Sequence, residues 1–260
     1  YSSFLLVLMN LIALLAPLKN AGKYFEMDIS VGIFVFLFNE KLMSLSIMTG
    51  LLLLFANLPF KNDLQLYIIS RSSIKKWFAA QAGYIFSISM LYPVLLCLLM
   101  GLSVWNQADL SQQWGKLLGT ITYYPSILDE FSISLYPTNG IMSFYTPAQS
   151  ILITLGMVML VSLFVGVLIL VFNFIYQGLG FAVYAVFIFL EFSLMFFPGY
   201  MIKYVSPLSW LSLERISLSF MDALPTFRYV IIFLLSGIFG GLLLMYGLIH
   251  VKSFKEKVVS

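Results

Sequence analysis

From Ser150 to Tyr176 the chain carries no charged side chain. The same holds for Tyr1–Leu18, Leu42–Phe60, Trp77–Gln107, Leu179–Leu190 and Tyr229–Ile249. Charge-free stretches of such length, repeated through one chain, constrain the fold more than any other feature. A helix needs roughly 20 apolar residues to cross a bilayer. Of the 260 residues, 61% are hydrophobic and only 10% are charged, against about 25% charged in a soluble domain. Much of a globule's surface must face water, so a soluble fold of this size cannot hide the excess. Lipid is the solvent that fits it.

On that ruler six spans are predicted: Tyr1–Leu18, Leu42–Phe60, Trp77–Trp105, Ser150–Tyr176, Leu179–Phe197 and Tyr229–His250. Membrane β-strands would alternate polar and apolar residues in pieces of about ten. These runs are continuous, so the expectation is an all-α integral membrane protein of one domain, 1–260. Tyr1–Leu18 lacks a basic leader and a small-residue cleavage site, so it reads as a span whose start lies upstream rather than as a signal peptide. Ile29–Phe38 is apolar but too short to span. It reads as an interfacial piece or as the first turns of a long second helix.

Orientation follows from lysine and arginine placement. The loop 61–76 holds Lys61, Arg71, Lys75 and Lys76 against Asp63. The tail after His250 holds Lys252, Lys255 and Lys257 against Glu256. The opposite loops, 19–41, 106–149 and 199–228, mix basic residues with a larger number of acids. The first side is therefore expected in the cytoplasm, with both termini there. A net charge of only +3 gives a nucleic-acid partner no electrostatic support. The single cysteine, Cys97, excludes an internal disulfide, and the single histidine is His250.

The stretch "LPFKNDLQLYIISRSSIKKWFAAQ" (Leu58–Gln81) interrupts the oil with polar and basic residues. Asn62 or Asp63 suits an N-cap. Leu64, Tyr67, Ile68 and Arg71 follow at helical spacing, then Lys75 at headgroup level and Trp77 as an interfacial anchor. The plain reading is a loop that only sets topology. The sharper one is a docking helix, offering a hydrophobic anchor and a charge to a groove in a soluble partner.

"LPF" closing one span and "YIISRSSIKKW" opening the next resembles the loop between the second and third helices of type-two ABC exporter permeases. "VSPLSWLSLERIS" (Val205–Ser217) is similar to a Ser-Pro-x-Ser-Trp-like stretch before the last helix of that family. The resemblance implies a bacterial cytoplasmic-membrane permease with six spans, a coupling helix at 61–76, and amphipathic or re-entrant helices before the last span. It implies docking through Asp63, Leu64, Tyr67, Ile68, Arg71 and Lys75 on a separate ABC ATPase subunit, which would hold the ATP and magnesium. It also implies a second permease subunit, identical or related. The loop 106–149 is longer than the family's usual connection. No "GxxxxGK[ST]" phosphate loop occurs in the chain, so it is expected to bind no cofactor of its own. Apolar spans and aromatic outer loops suggest an amphiphilic cargo: a peptide antibiotic, a lipid or a lipid-linked polymer.

Polar residues inside the spans are the remaining candidates. A carboxylate at membrane depth costs roughly 2.5–3.5 kcal/mol on insertion scales. Glu191 in "FIFLEFSLMFF" is thus either a pathway residue or a packing group paired with Asn173, Tyr184 or Ser193. Asn10 and Asn173 suit hydrogen bonds between helices. Gly237 and Gly241 form a GxxxG, allowing close approach within the bundle or to a second permease. The segment 199–228 reads as re-entrant or as an interfacial helix lying flat. The loop 106–149 reads as a membrane-hugging lid or a substrate-binding cap. A secondary transporter working through Glu191 is the alternative function. An intramembrane enzyme fits less well, because no nucleophile and base share a motif.

Overall fold

In the computed structural model, which describes residues 2–59, 73–109, 111, 113–193, 200–217 and 224–259, the charge-free runs are helices. In chain order the helices are α1 (Ser2–Tyr24), α2 (Lys41–Phe55), α3 (Ile74–Val104), α4 (Lys116–Tyr123), α5 (Ser126–Glu130), α6 (Asn139–Phe144), α7 (Pro147–Ile175), α8 (Leu179–Ser193), α9 (Tyr200–Val205) and α10 (Phe227–Val259). Short 3-10 segments cover Val31–Phe38, Pro207–Leu211 and Leu213–Arg215.

Helix α7 is the hub, and its ends are written in the sequence. Thr146 and Gln149 close a capping box, which satisfies two of the free amides of the first turn. Pro147 stands where its missing N–H costs nothing. At the other end Gly178 adopts φ +91°, a turn conformation that glycine takes without strain. The helices α3, α8 and α10 and the segment Val31–Phe38 all pack on α7.

Six helices run alternately between two ends of the bundle. The lower end is the one that holds Lys75 and Lys76. There the Trp77 ring lies 6.3 Å from Phe174, and the Tyr84 hydroxyl donates to the Leu54 carbonyl at 2.8 Å. At the upper end the Lys19 Nζ donates to the Ser103 carbonyl at 2.9 Å. Helices α1, α3 and α8 rise, and α2, α7 and α10 descend. Among the described residues four helices are long and apolar enough to cross a membrane: Phe4–Tyr24, Ile74–Gln107, Pro147–Ile175 and Phe227–His250. Val31–Phe38 with α2 makes a fifth if the bent pair is one span. Helix α8 covers 15 residues, about 22 Å of length; residues 194–197 of the sixth span expected at Leu179–Phe197 fall outside the described residues.

One expectation needs correction. Ile29–Phe38 does not form the first turns of a long second helix. Ile29 and Ser30 pair in parallel with Ala108 and Asp109, and Val31–Phe38 meets α2 at 80°. From Gly32 to Phe38 every residue is buried. A Cβ on Gly32 would stand 2.8 Å from the Trp114 ring, so only glycine admits the indole there. The loop 106–149 carries the short helices α4, α5 and α6. Its Trp114 Nε1 donates to the Tyr145 carbonyl at 2.9 Å, tying the cap to the start of α7.

Gly237 and Gly241 face α7 of the same chain. A Cβ on Gly237 would stand 2.3 Å from Phe164, and one on Gly241 2.5 Å from Val167. Their GxxxG thus serves packing inside the bundle, whereas a Cβ on Gly240 would meet nothing within 4 Å. Large apolar side chains are exposed on α1 (Met9), α3 (Leu98, Leu102) and α10 (Phe239, Leu243), as lipid-facing surfaces require.

Candidate functional site

Glu191 is not solitary, and its partner is none of Asn173, Tyr184 and Ser193. It lies in the last described turn of α8, only 3% exposed, and accepts from the Arg215 guanidinium. A carboxylate buried this far needs a cation to offset its lost hydration. The Arg215 side chain keeps 25% exposure and that of Glu191 4%. The second oxygen, Glu191 Oε2, has no hydrogen-bond partner among the described residues. Beside Glu191 is a cavity of about 10 Å³ walled by Ser44, Leu45, Met48, Ile188 and Phe192, room for about one water-sized sphere.

Arg215 is delivered by the stretch Pro207–Arg215. Pro207–Leu213 is fully buried and packs on α7 and α8, so it is not a helix lying flat on lipid. Trp210 anchors it: its Nε1 donates to the Lys203 carbonyl at 2.8 Å. The indole stands edge-on to Phe233 at 5.2 Å and Tyr229 at 6.1 Å. Ser209 Oγ donates to the Ser206 carbonyl at 2.7 Å, holding the tight turn. Backbone of this irregular kind is tolerated at membrane depth only where protein encloses it, and here protein does.

A second bond joins the same stretch to the first half of the chain. Ser212 Oγ donates to Asn39 Oδ1, and Asn39 closes the segment Val31–Phe38. The next residue, Glu40, caps α2 by accepting from the Met43 amide. Two buried 3-10 segments, one from each half of the chain, therefore meet at the upper end. The seam at this end is fastened by Ser212–Asn39 between the two segments and by Arg215–Glu191 between the second segment and α8. Burial pulls the Arg215 guanidinium down from its ordinary value, yet it stays protonated. Burial pushes the neighbouring Glu214 carboxyl up, with the hydroxyl of Thr138 opposing the shift.

The other expected site residues lie elsewhere. Asp63, Leu64, Tyr67, Ile68 and Arg71 fall outside the described residues. Lys75 is exposed in the first turn of α3. Asn10 Nδ2 donates to Ser46 Oγ at 2.6 Å, fastening α1 to α2. Asn173 Nδ2 donates to the Leu58 carbonyl, and its Oδ1 accepts from the Gly180 amide, both at 2.8 Å. Asn173 thus binds the end of the α2 turn to the start of α8. Gly180 and Glu191 are separated by eleven positions along that helix, about 16 Å, so Asn173 and Glu191 occupy opposite ends and form no common site.

Three further side chains brace α2 from within the bundle. Tyr92 and Tyr184 donate to the Ile47 and Met48 carbonyls at 3.0 and 2.9 Å, and Tyr84 to that of Leu54. Sequence reasoning weighed only Tyr184, and as a partner of Glu191, since a tyrosine in a span otherwise reads as an interfacial residue. Among the described residues no group of three His, Cys, Asp or Glu could hold a metal ion. No protein-family model, curated protein or solved structure matches the chain.

Proposed function

We propose that the chain is the permease subunit of an ATP-driven exporter of the type-two ABC kind. In this reading all six alternating helices cross the bacterial cytoplasmic membrane and the lower end lies in the cytoplasm with both termini. Residues 61–76 dock on a separate ATPase subunit, which holds ATP and magnesium. A second permease, identical or related, completes the path for an amphiphilic cargo.

The observation that carries the reading is the double hydrogen bond of Asn173. Leu58 immediately precedes the basic stretch, and Asn173 links its carbonyl to the first turn of α8. A push on residues 61–76 would therefore reach α8 directly. Toward the upper end α8 carries Glu191, whose ion pair with Arg215 fastens it to the stretch Pro207–Arg215. ATP-driven closure of the motor at the lower end would pull on the seam at the upper end, and the cargo would leave there.

Co-expression with the neighbouring genes tests this. An ATPase is expected to co-purify with the wild-type chain, and Tyr67→Ala with Arg71→Glu is expected to abolish the association. Asn173→Ala should keep the complex but uncouple transport from ATP hydrolysis. Failure of any ATPase to accompany the wild-type chain, or full association in the double variant, would overturn the reading. The buried Glu191–Arg215 pair favours one competitor, a secondary transporter driven by an ion gradient. Transport that persists without ATP and collapses with the gradient would select it.

A further inference from the structure

We propose that the upper half of the α1–α3 interface is a binding site for an anionic glycerophospholipid. The inference does not depend on the transport reading. A groove of about 430 Å³ runs beside α1, walled by Ile12, Leu15, Ala16, Lys19, Asn20 and Lys23, with Ser103 of α3 facing them. Its two halves differ in chemistry. Ile12, Ala16, Lys19 and Lys23 recur at three- and four-residue spacing, so they lie on one face of the helix. The lower half of that face is apolar and the upper half is cationic.

The vertical scale matches a lipid. Lys19 lies about 10 Å above Ile12 along the axis and Lys23 about 16 Å, close to the half-thickness of a bilayer core, about 15 Å. Tyr24 and Trp105, 71% and 70% exposed, stand at the level of the lysines. Exposed aromatic residues of this kind mark the membrane–water interface. The groove therefore begins at headgroup height and descends into the acyl region.

The charge is uncompensated. Lys19 Nζ is spent on the Ser103 carbonyl, which fixes its position without neutralising it. Gln107 Nε2 braces the same helix turn through the Lys19 carbonyl at 3.4 Å. No ion pair joins Lys19 or Lys23 to an acid among the described residues. Glu26 and Asp28, the nearest acids along the chain, pair with neither. A phosphodiester between the two ammonium groups, with one acyl chain laid against Ile12, Leu15 and Ala16, satisfies both halves. Basic pockets between membrane helices bind lipid phosphates in this way.

Native mass spectrometry of the full chain in detergent, titrated with phosphatidylglycerol or phosphatidylcholine, tests the proposal. Each lysine at headgroup height contributes roughly fivefold in affinity, so Lys19→Ala with Lys23→Ala should weaken phosphatidylglycerol binding about thirty-fold. Lys23→Ala alone, which spares the Lys19–Ser103 bond, should weaken it about fivefold. Lys116→Ala, an exposed upper-end lysine outside the groove, should change nothing. Inorganic phosphate at equal concentration should not displace the lipid. Equal binding of phosphatidylcholine, an equal loss in Lys116→Ala, or full displacement by inorganic phosphate would each overturn the proposal.

Discussion

Replacing the two members of the Glu191–Arg215 pair with methionine, singly and together, tests the seam most directly. The carboxylate is 4% exposed and the guanidinium side chain 25%. Charge centres about 4 Å apart attract by about 4 kcal/mol at an effective dielectric constant of about 20. Removing one partner of a buried pair costs about 3–5 kcal/mol, because the survivor is left unpaired. Glu191→Met should fall near the lower figure, since Arg215 retains access to water. Arg215→Met should fall nearer the upper one, since Glu191 is enclosed. The double variant replaces the pair with apolar volume, a change that is often close to neutral. Unfolding entropy of about 2.1 cal/mol/K per residue over 260 residues makes 3 kcal/mol about 5 °C in melting temperature. Thermal unfolding of the purified protein in detergent, followed by tryptophan fluorescence, should therefore show each single variant melting at least about 5 °C lower. The double variant should recover most of the loss. If the two single shifts simply add in the double variant, the groups are not coupled and the argument for a fastened seam fails.

Two further outcomes follow from packing and charge. Gly237→Val should destabilise the fold by about 1–3 kcal/mol through overpacking, because its Cβ would meet Phe164. Gly240→Ala, one helical turn's fraction away and facing open space, should be neutral or gain up to about 1 kcal/mol from helix propensity; thermal melts of both variants check the contrast. Glu214 supplies a pH signature. Its folded-state carboxyl is raised above the ordinary 4.5, so between that value and the raised one the folded protein binds more protons than the unfolded chain. Stability should thus fall as pH rises through this window. Glu214→Gln should flatten that part of a melting-temperature-against-pH curve and raise the melt at neutral pH.

The helices were legible because lipid exposure demands uncharged surface on every side of a span. The ends of α7 could be read from Thr146, Pro147 and Gln149, since caps are local chemistry. The segment Val31–Phe38 could not be read in the same way. Eight apolar residues without polar interruption give no period from which to tell a helix from a buried irregular turn. Its 80° break depends on Asn39 and Glu40 finding Ser212 and the Met43 amide, and Ser212 lies far along the chain. The partner of Glu191 was hidden for a similar reason, being 24 residues away on a different element. One signal was present. Arg215 and the adjacent Glu214 are the two charges in "PLSWLSLERIS", and a cation that follows such a run of buried residues calls for a partner on another element. The docking residues were read from local pattern alone, and they rest on the resemblance until the association assay decides.

The two ends of the bundle are fastened differently, and the difference sets a requirement on any transport cycle. At the lower end α2, α7 and α8 are held by Asn173 through neutral hydrogen bonds, each worth about 0.5–1.5 kcal/mol net. At the upper end the seam carries the charged pair of Arg215 with Glu191 of α8 as well as Ser212–Asn39 between the two 3-10 segments. Parting the pair would leave a buried carboxylate without its counter-ion, so the closed arrangement is favoured at the upper end. Under either transport reading, exit above would need a bias toward the parted arrangement. Only an agent with different affinity for the open and closed states can supply such a bias. Under the exporter reading that agent is the nucleotide-driven motor below, acting through Leu58, Asn173 and α8. Under the competing reading it is a cation or proton captured at Glu191. Glu191→Gln separates the two in a transport assay. It should relax the upper seam and let cargo leak without ATP in the first case, and abolish gradient-driven transport in the second.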